Sequence, residues 1–272
     1  MQEAHIGAQK WLAESDGADD AAFNMTNATC IECCYFANEF DFVKARQVAQ
    51  AAKEAAFQTK SAYVSGWVTA YSAIVPVYEG NYAAAYLEVG AALATARAVF
   101  GDNASICGTL ALVGAKCAVE MGLDEEARLL LHSGLESSQH HGYLEAVGCG
   151  LEAATLVWQG DEGEPVAPSI LREIAACYPP RLALMLECYL IRRLIRLGRT
   201  DEALAEAARV GLGNSNSLHV LQTNAGAHLR ETLDAAQIDI LMARGRLTQA
   251  EALINEESCK ASSKGRMGKL VE

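Results

Sequence analysis

The sequence predicts an all-α protein built from stacked helical hairpins, and three observations carry that prediction. Hydrophobic residues make up 51 % of the chain and only five prolines interrupt it, a composition suited to closely packed helices. Gly80, Gly122, Gly160, Gly198 and Gly245 each close an apolar stretch, and Phe40 stands where a sixth such mark belongs; the spacing is about 40 residues, the scale of a helical repeat. Five residues after each mark comes a small residue: Ala45, Ala85, Ala127, Ala203 and Ala250, with Pro165 as the exception.

A helix, a tight turn and a second helix starting with alanine at the contact point is the tetratricopeptide-type unit. The predicted first helices run near 18–38, 60–79, 103–121, 143–159, 181–197 and 228–244. Their partners run near 41–57, 82–99, 124–139, 165–177, 200–210 and 247–258. In the first helices, the positions seven, four and three before the mark are apolar or small in every unit. They read Cys33, Phe36 and Ala37 in the first and Ile191, Leu194 and Ile195 in the fifth. These offsets share one helical face, the stripe a helix buries. In the second helices the small residue is followed four positions later by Ala49, Val89, Leu131, Ser169, Ala207 and Ile254, again on one face. Asp124, Asp201 and Thr248 are expected to cap their helices.

The fourth unit has a lengthened turn at 161–165, with Pro165 in a first helical turn, where proline is tolerated. The turn-rich stretch 211–226 reads as a long loop. The basic, polar run 258–269 reads as another, before a helix start at Leu270. The prediction is a right-handed superhelix of about six hairpin pairs, in which each unit buries its apolar face only against its neighbours. It forms one domain over 1–272, with half-units at 1–15 and 264–272, as expected of a piece of a longer protein.

The formal charge of −12, with no basic block, argues against nucleic acid or anionic membranes as direct partners. Apolar stretches are broken by charge or glycine before the ~20 residues of a membrane span. Glu3 and His5 sit where a signal peptide would be basic and apolar. Nine irregularly spaced cysteines read as reduced, buried thiols of a cytosolic protein. The Asn-x-Ser/Thr sites at Asn24, Asn27 and Asn103 then read as accidental.

The segments 106–136, 191–212 and 238–254 resemble the helical-repeat region of MalT-like, large LuxR-family transcriptional regulators. The similarity runs over roughly 30–260 as a pattern of small and aliphatic residues. The resemblance implies repeats lying between a nucleotide-binding module and a helix-turn-helix module, where they sense a signal, often a small molecule. Neither module lies within this sequence. The nearest fragment to a phosphate-binding loop, Gly265 to Leu270, has the wrong spacing and ends in leucine.

Cys30, Cys33 and Cys34 share one predicted helix, but no second pair has the spacing of a four-ligand metal site, and they read as small hydrophobes. No metal or cofactor is expected. His140 and His141 sit at a helix end, where positive charge suits the dipole. Serine, histidine and acidic residues occur in no nucleophile-elbow context, so an enzymatic role is not expected.

The groove-facing columns, thirteen, six and two residues before each mark, are the most varied. They contain Trp67, Tyr78, Lys116, Glu120, Trp158, Arg192, Arg196 and Asp239. Two tryptophans, a lysine and two arginines around one channel would suit an anionic or aromatic ligand, or an acidic peptide. The competing reading is that these columns are solvated and that Trp67 and Trp158 pack between units, as the spacing of Tyr63, Trp67 and Tyr71 also indicates. The function expected is effector sensing in a MalT-like regulator, with a small molecule in the groove and the other domains of the regulator as partners. The alternative is a protein-interaction scaffold that binds a peptide or partner domain without an effector.

Overall fold

The computed structural model describes residues 6–10, 21–138, 142–158, 167–212 and 225–266, and among these there is no strand. The expected half-unit at 1–15 and most of the loop 211–226 therefore lie largely outside the described residues. So do His140 and His141, the lengthened turn with Gly160 and Pro165, and the helix start at Leu270. After a helical turn at 6–10 come α1 (Ala21–Asn38), α2 (Phe42–Thr59), α3 (Ala62–Ser72), α4 (Ile74–Glu79), α5 (Tyr82–Phe100), α6 (Ser105–Glu120) and α7 (Asp124–Ser138). They are followed by α8 (Leu144–Val157), α9 (Pro168–Cys177), α10 (Pro180–Arg196), α11 (Thr200–Arg209), α12 (Ala227–Ala243) and α13 (Leu247–Ser263).

The turn marks do what their residue type allows. Gly80, Gly122, Gly198 and Gly245 have φ of 80°, 72°, 74° and 70°, and Phe40 has φ 57°, the left-handed conformation in which glycine carries no steric penalty. In each turn the amide after the mark donates to the carbonyl four residues before it. The pairs are Asp41 to Phe36, Asn81 to Pro76, Leu123 to Ala118, Arg199 to Leu194 and Arg246 to Leu241, all at 2.8–2.9 Å. These are Schellman closures, which satisfy the last carbonyls of each first helix. The second helix then starts at once, with Ala45, Ala85, Ala127 and Ala203 fully buried and Ala250 nearly so. Only a small side chain lets the two backbones approach there.

Several expectations change. The helix expected at 60–79 is interrupted at Ala73, because Pro76 lacks the amide that would bond back toward Ser72. Asp124, Asp201 and Thr248 lie within first turns rather than at caps, where the two aspartates complement the helix dipole. The first part of the run 258–269 is helical, since α13 continues to Ser263 with Ala261 buried. Met242 and Ile254 of the last pair stand exposed, as does Ser169 in the column of Ile254; on the last pair no following helix packs among the described residues.

Consecutive first helices touch one another, from α1 through α3 and α4 to α6, α8, α10 and α12, and α12 also touches α1. Their inward faces therefore converge. The core follows this row, and at its centre Leu112 of α6 lies so close to Gly134 and Gly150 that a Cβ at either would come within 2.7 Å of its side chain. Cys30, Cys33 and Cys34 are buried free thiols, whereas Cys177 and Cys259 are exposed, contrary to a uniformly buried set. Burial pushes the Cys33 and Cys117 thiols up to about 12. By length and composition alone α5 is apolar enough to cross a membrane. It packs on α3, α4 and α6 and carries Glu88, paired with Lys53 at 2.5 Å, and Arg97, paired with Asp102 at 3.2 Å.

Candidate functional site

The converging faces of the first helices carry a layered polar network. Nearest the start of α8 and α10, Arg181 donates to Asn38 Oδ1 at 2.9 Å and pairs with the buried Glu145. Asn38 in turn donates to Glu145 at 3.2 Å and to the Cys34 carbonyl at 2.8 Å. In the next layer the buried Lys116 lies between Glu120 and Glu152, the latter at 3.2 Å. Beyond it, Arg192 Nε donates to Asp239 Oδ2 at 2.9 Å. Burial opposes the charge on Arg192, but Asp239 and Glu152 outweigh it and hold the guanidinium above its ordinary range.

A further set of contacts ties Arg266, the last described residue, to the turn at Phe40 and to α4 and α12. Gly265 repeats the turn geometry of the marks, with φ 71° and the Arg266 amide donating to the Ala261 carbonyl at 3.0 Å. That turn aims Arg266 inward, where it is 3 % exposed. Its Nε donates to the Tyr78 carbonyl at 2.5 Å, its two terminal nitrogens bond Glu231, and its guanidinium carbon lies 4.0 Å from the centre of the Phe40 ring. Tyr78 stacks on His228 with ring centres 4.0 Å apart.

Two cavities flank this network. A small one of about 80 Å³ is lined by Tyr78, Lys116, Glu152, Arg192, His228 and Arg266, among others. A larger one of about 760 Å³ shares Arg192, Glu231 and Arg266 with it and extends between α12 and α13 to Phe40, Asp234, Asp239 and Lys260.

Of the residues singled out from sequence, Tyr78, Lys116, Arg192 and Asp239 line one or both cavities. Glu120 is their neighbour through its pair with Lys116. Trp67, Trp158 and Arg196 line neither. Trp67 packs edge-on against Tyr63 at 6.1 Å and beside Tyr71 at 6.4 Å, while Tyr71 stacks on Tyr143 at 4.0 Å. The Trp158 ring packs on the core, and its carbonyl accepts from Arg193 at 2.6 Å. Arg196 reaches the Thr155 carbonyl at 3.4 Å from an exposed position. Both tryptophans lie partly buried against the core.

The sequence reading missed Arg181, His228, Glu231 and Arg266. Arg181 and His228 lie seventeen residues before their marks, one helical turn beyond the column of Trp67, so extending the same face would have found them. Arg266 carried no such signal.

The arrangement brings charged and hydrogen-bonding side chains to the walls of both cavities. Cys149, on the small cavity, is pushed well up by burial and stays a protonated thiol, a poor nucleophile. Among the described residues no group of three histidine, cysteine or acidic side chains is placed to hold a metal ion. Compared with known proteins, the chain matches no protein-family model and no curated protein sequence.

Proposed function

We propose that this chain is the effector-binding, signal-sensing domain of a MalT-like, LuxR-family bacterial regulator, acting on DNA through domains outside the chain. In this reading the hairpins stack as a right-handed superhelix of tetratricopeptide-like units, working in the cytoplasm, and the groove takes a small molecule rather than catalysing a reaction. The observation that carries the reading is the cavity of about 760 Å³, a volume within the range of small-molecule sites. It is walled by the last hairpin and by Phe40 at the end of the first helix. A ligand bridging these ends would favour one arrangement of the array over another, which is all an effector requires.

A second reading, a scaffold for a protein partner, draws support from large apolar side chains exposed on second helices, Phe57 at 78 %, Leu87 at 73 % and Leu129 at 70 %. A thermal-shift screen of metabolites separates the two. A ligand at 100 times its dissociation constant adds about 2.7 kcal/mol of stability. Absence of any stabilising compound, together with capture of a partner that Leu87→Glu abolishes, would replace the sensor reading by the scaffold.

A further inference from the structure

The seat around Arg266 has a shape that selects one kind of cation. A guanidinium is planar and presents its N–H donors as a rigid fork. Here one edge of the fork meets both oxygens of Glu231, the remaining Nε–H meets the Tyr78 carbonyl at 2.5 Å, and the flat face lies on Phe40. Bidentate carboxylate, carbonyl and aromatic face together match a guanidinium and not a tetrahedral ammonium. The seat, though buried, also borders the larger cavity. Phe40, Glu231 and Arg266 all line the larger cavity, and the carboxylates of Glu39 and Asp234 line the same space. Along this wall these two acidic residues, with Asp239 and Glu257, alternate with the basic Arg192, Arg230, Lys260 and Lys264.

We propose that Phe40, the Tyr78 carbonyl and Glu231 form a guanidinium-recognition site, filled in this structure by the chain's own Arg266, and that a guanidinium-bearing small molecule entering through the larger cavity competes with Arg266 for it. This rests on the sensor reading and puts a cationic ligand in place of the anionic or aromatic ligand, or acidic peptide, expected from sequence. The displaced Arg266 would release the tie between the end of α13 and the turn at Phe40, coupling occupancy to the arrangement of the last hairpin.

The test is chemical rescue. Arg266→Ala should melt below the wild type. Methylguanidinium chloride should restore most of that loss and methylammonium chloride at the same ionic strength should not. The rescue should vanish in Arg266→Ala combined with Glu231→Gln. Agmatine should bind Arg266→Ala at least about tenfold more tightly than the wild type, because apparent affinity scales with the fraction of molecules whose seat is open. If Arg266→Ala does not fold, Arg266→Lys provides the same comparison. Equal effects of the two cations, or rescue that survives Glu231→Gln, would overturn the site. Rescue without any binding of agmatine to the wild type would overturn competition by an external ligand. Stabilisation of the wild type by an anionic metabolite, with Arg266→Ala indifferent to methylguanidinium, would overturn this inference and leave the sensor reading standing.

Discussion

Arg192 and Asp239 hold each other, Nε to Oδ2 at 2.9 Å, across the boundary between α10 and α12. Each lies six residues before a left-handed turn glycine, Gly198 and Gly245. Arg192 is thus a structural cation as well as a cavity residue, and its removal affects folding. Arg192→Ala should cost about 1.5–3 kcal/mol, the scale of a hydrogen bond to a charged group whose partner stays half-buried. A double-mutant cycle with Asp239→Asn should show a coupling above ~0.5 kcal/mol. Arg209, exposed and paired with Glu187 and Glu206 at 2.6 and 2.7 Å, is the control. Arg209→Ala should cost less than Arg192→Ala, because the Arg209 end of both pairs is 55 % exposed and screened by solvent.

The alanine column gives a prediction about the packing frame. Ala203 and Ala127 have no exposed surface. Glutamate at either must push two helices apart and bury a carboxylate. Overpacking costs about 1–3 kcal/mol and an unpaired charge adds to it. Ala203→Glu should therefore lower the urea midpoint sharply, while Glu125→Ala, at a side chain 89 % exposed, leaves it within error. An unchanged midpoint for Ala203→Glu would mean the helix faces are misassigned.

The turns and contact alanines were legible in the sequence because each has a local cause, a left-handed backbone at Gly80, Gly122, Gly198 and Gly245 and a close helix approach at the alanines. The helix break at Ala73 was legible in principle, since Pro76 removes a donor, but the apolar stripe on both sides hid it. The site was only half legible. Helical periodicity placed Lys116 and Arg192 on the inward face, but it could not say that Glu152 and Asp239 would neutralise them. Arg266 was invisible because its seat is built by Phe40, Tyr78 and Glu231, each distant in the chain. Its own segment, rich in serine and lysine, looked like a loop until tertiary burial of Ala261 extended α13.

Asp234 gives the molecule a pH dependence of definite sign. Burial first, and then Glu257, raise its carboxyl from the ordinary 3.8 to about 7. The folded state therefore holds this proton more tightly than the unfolded chain does. The associated stability is complete below the unfolded value and is lost as pH rises through about 7. The melting temperature should fall between about pH 4 and pH 7 and level off above, and Asp234→Asn should flatten that fall and stabilise the protein at the alkaline end. With Lys260 4.0 Å away offsetting part of the repulsion, the gain is roughly 1–2 kcal/mol. A pH profile identical in Asp234→Asn and wild type would remove Asp234 as its source.

Phe40 and Lys60 share a left-handed backbone, φ 57° and 54°, yet glycine should act oppositely at the two. A non-glycine residue in this conformation costs about 1–2 kcal/mol, and part of that is regained on substitution, less the greater freedom glycine has when unfolded. Lys60 is exposed, so nothing else is lost and Lys60→Gly should stabilise by about 0.5–1 kcal/mol. Phe40 is 9 % exposed and packs on Phe42, Tyr78 and His228 beneath Arg266. Removing such a ring costs about 3–5 kcal/mol, which exceeds the relief of strain. Phe40→Gly should therefore destabilise by about 2–4 kcal/mol, although it restores the residue that the other turns use. Chemical denaturation of the two variants measures both signs. Stabilisation by Phe40→Gly would mean that backbone conformation, and not the ring, governs that turn.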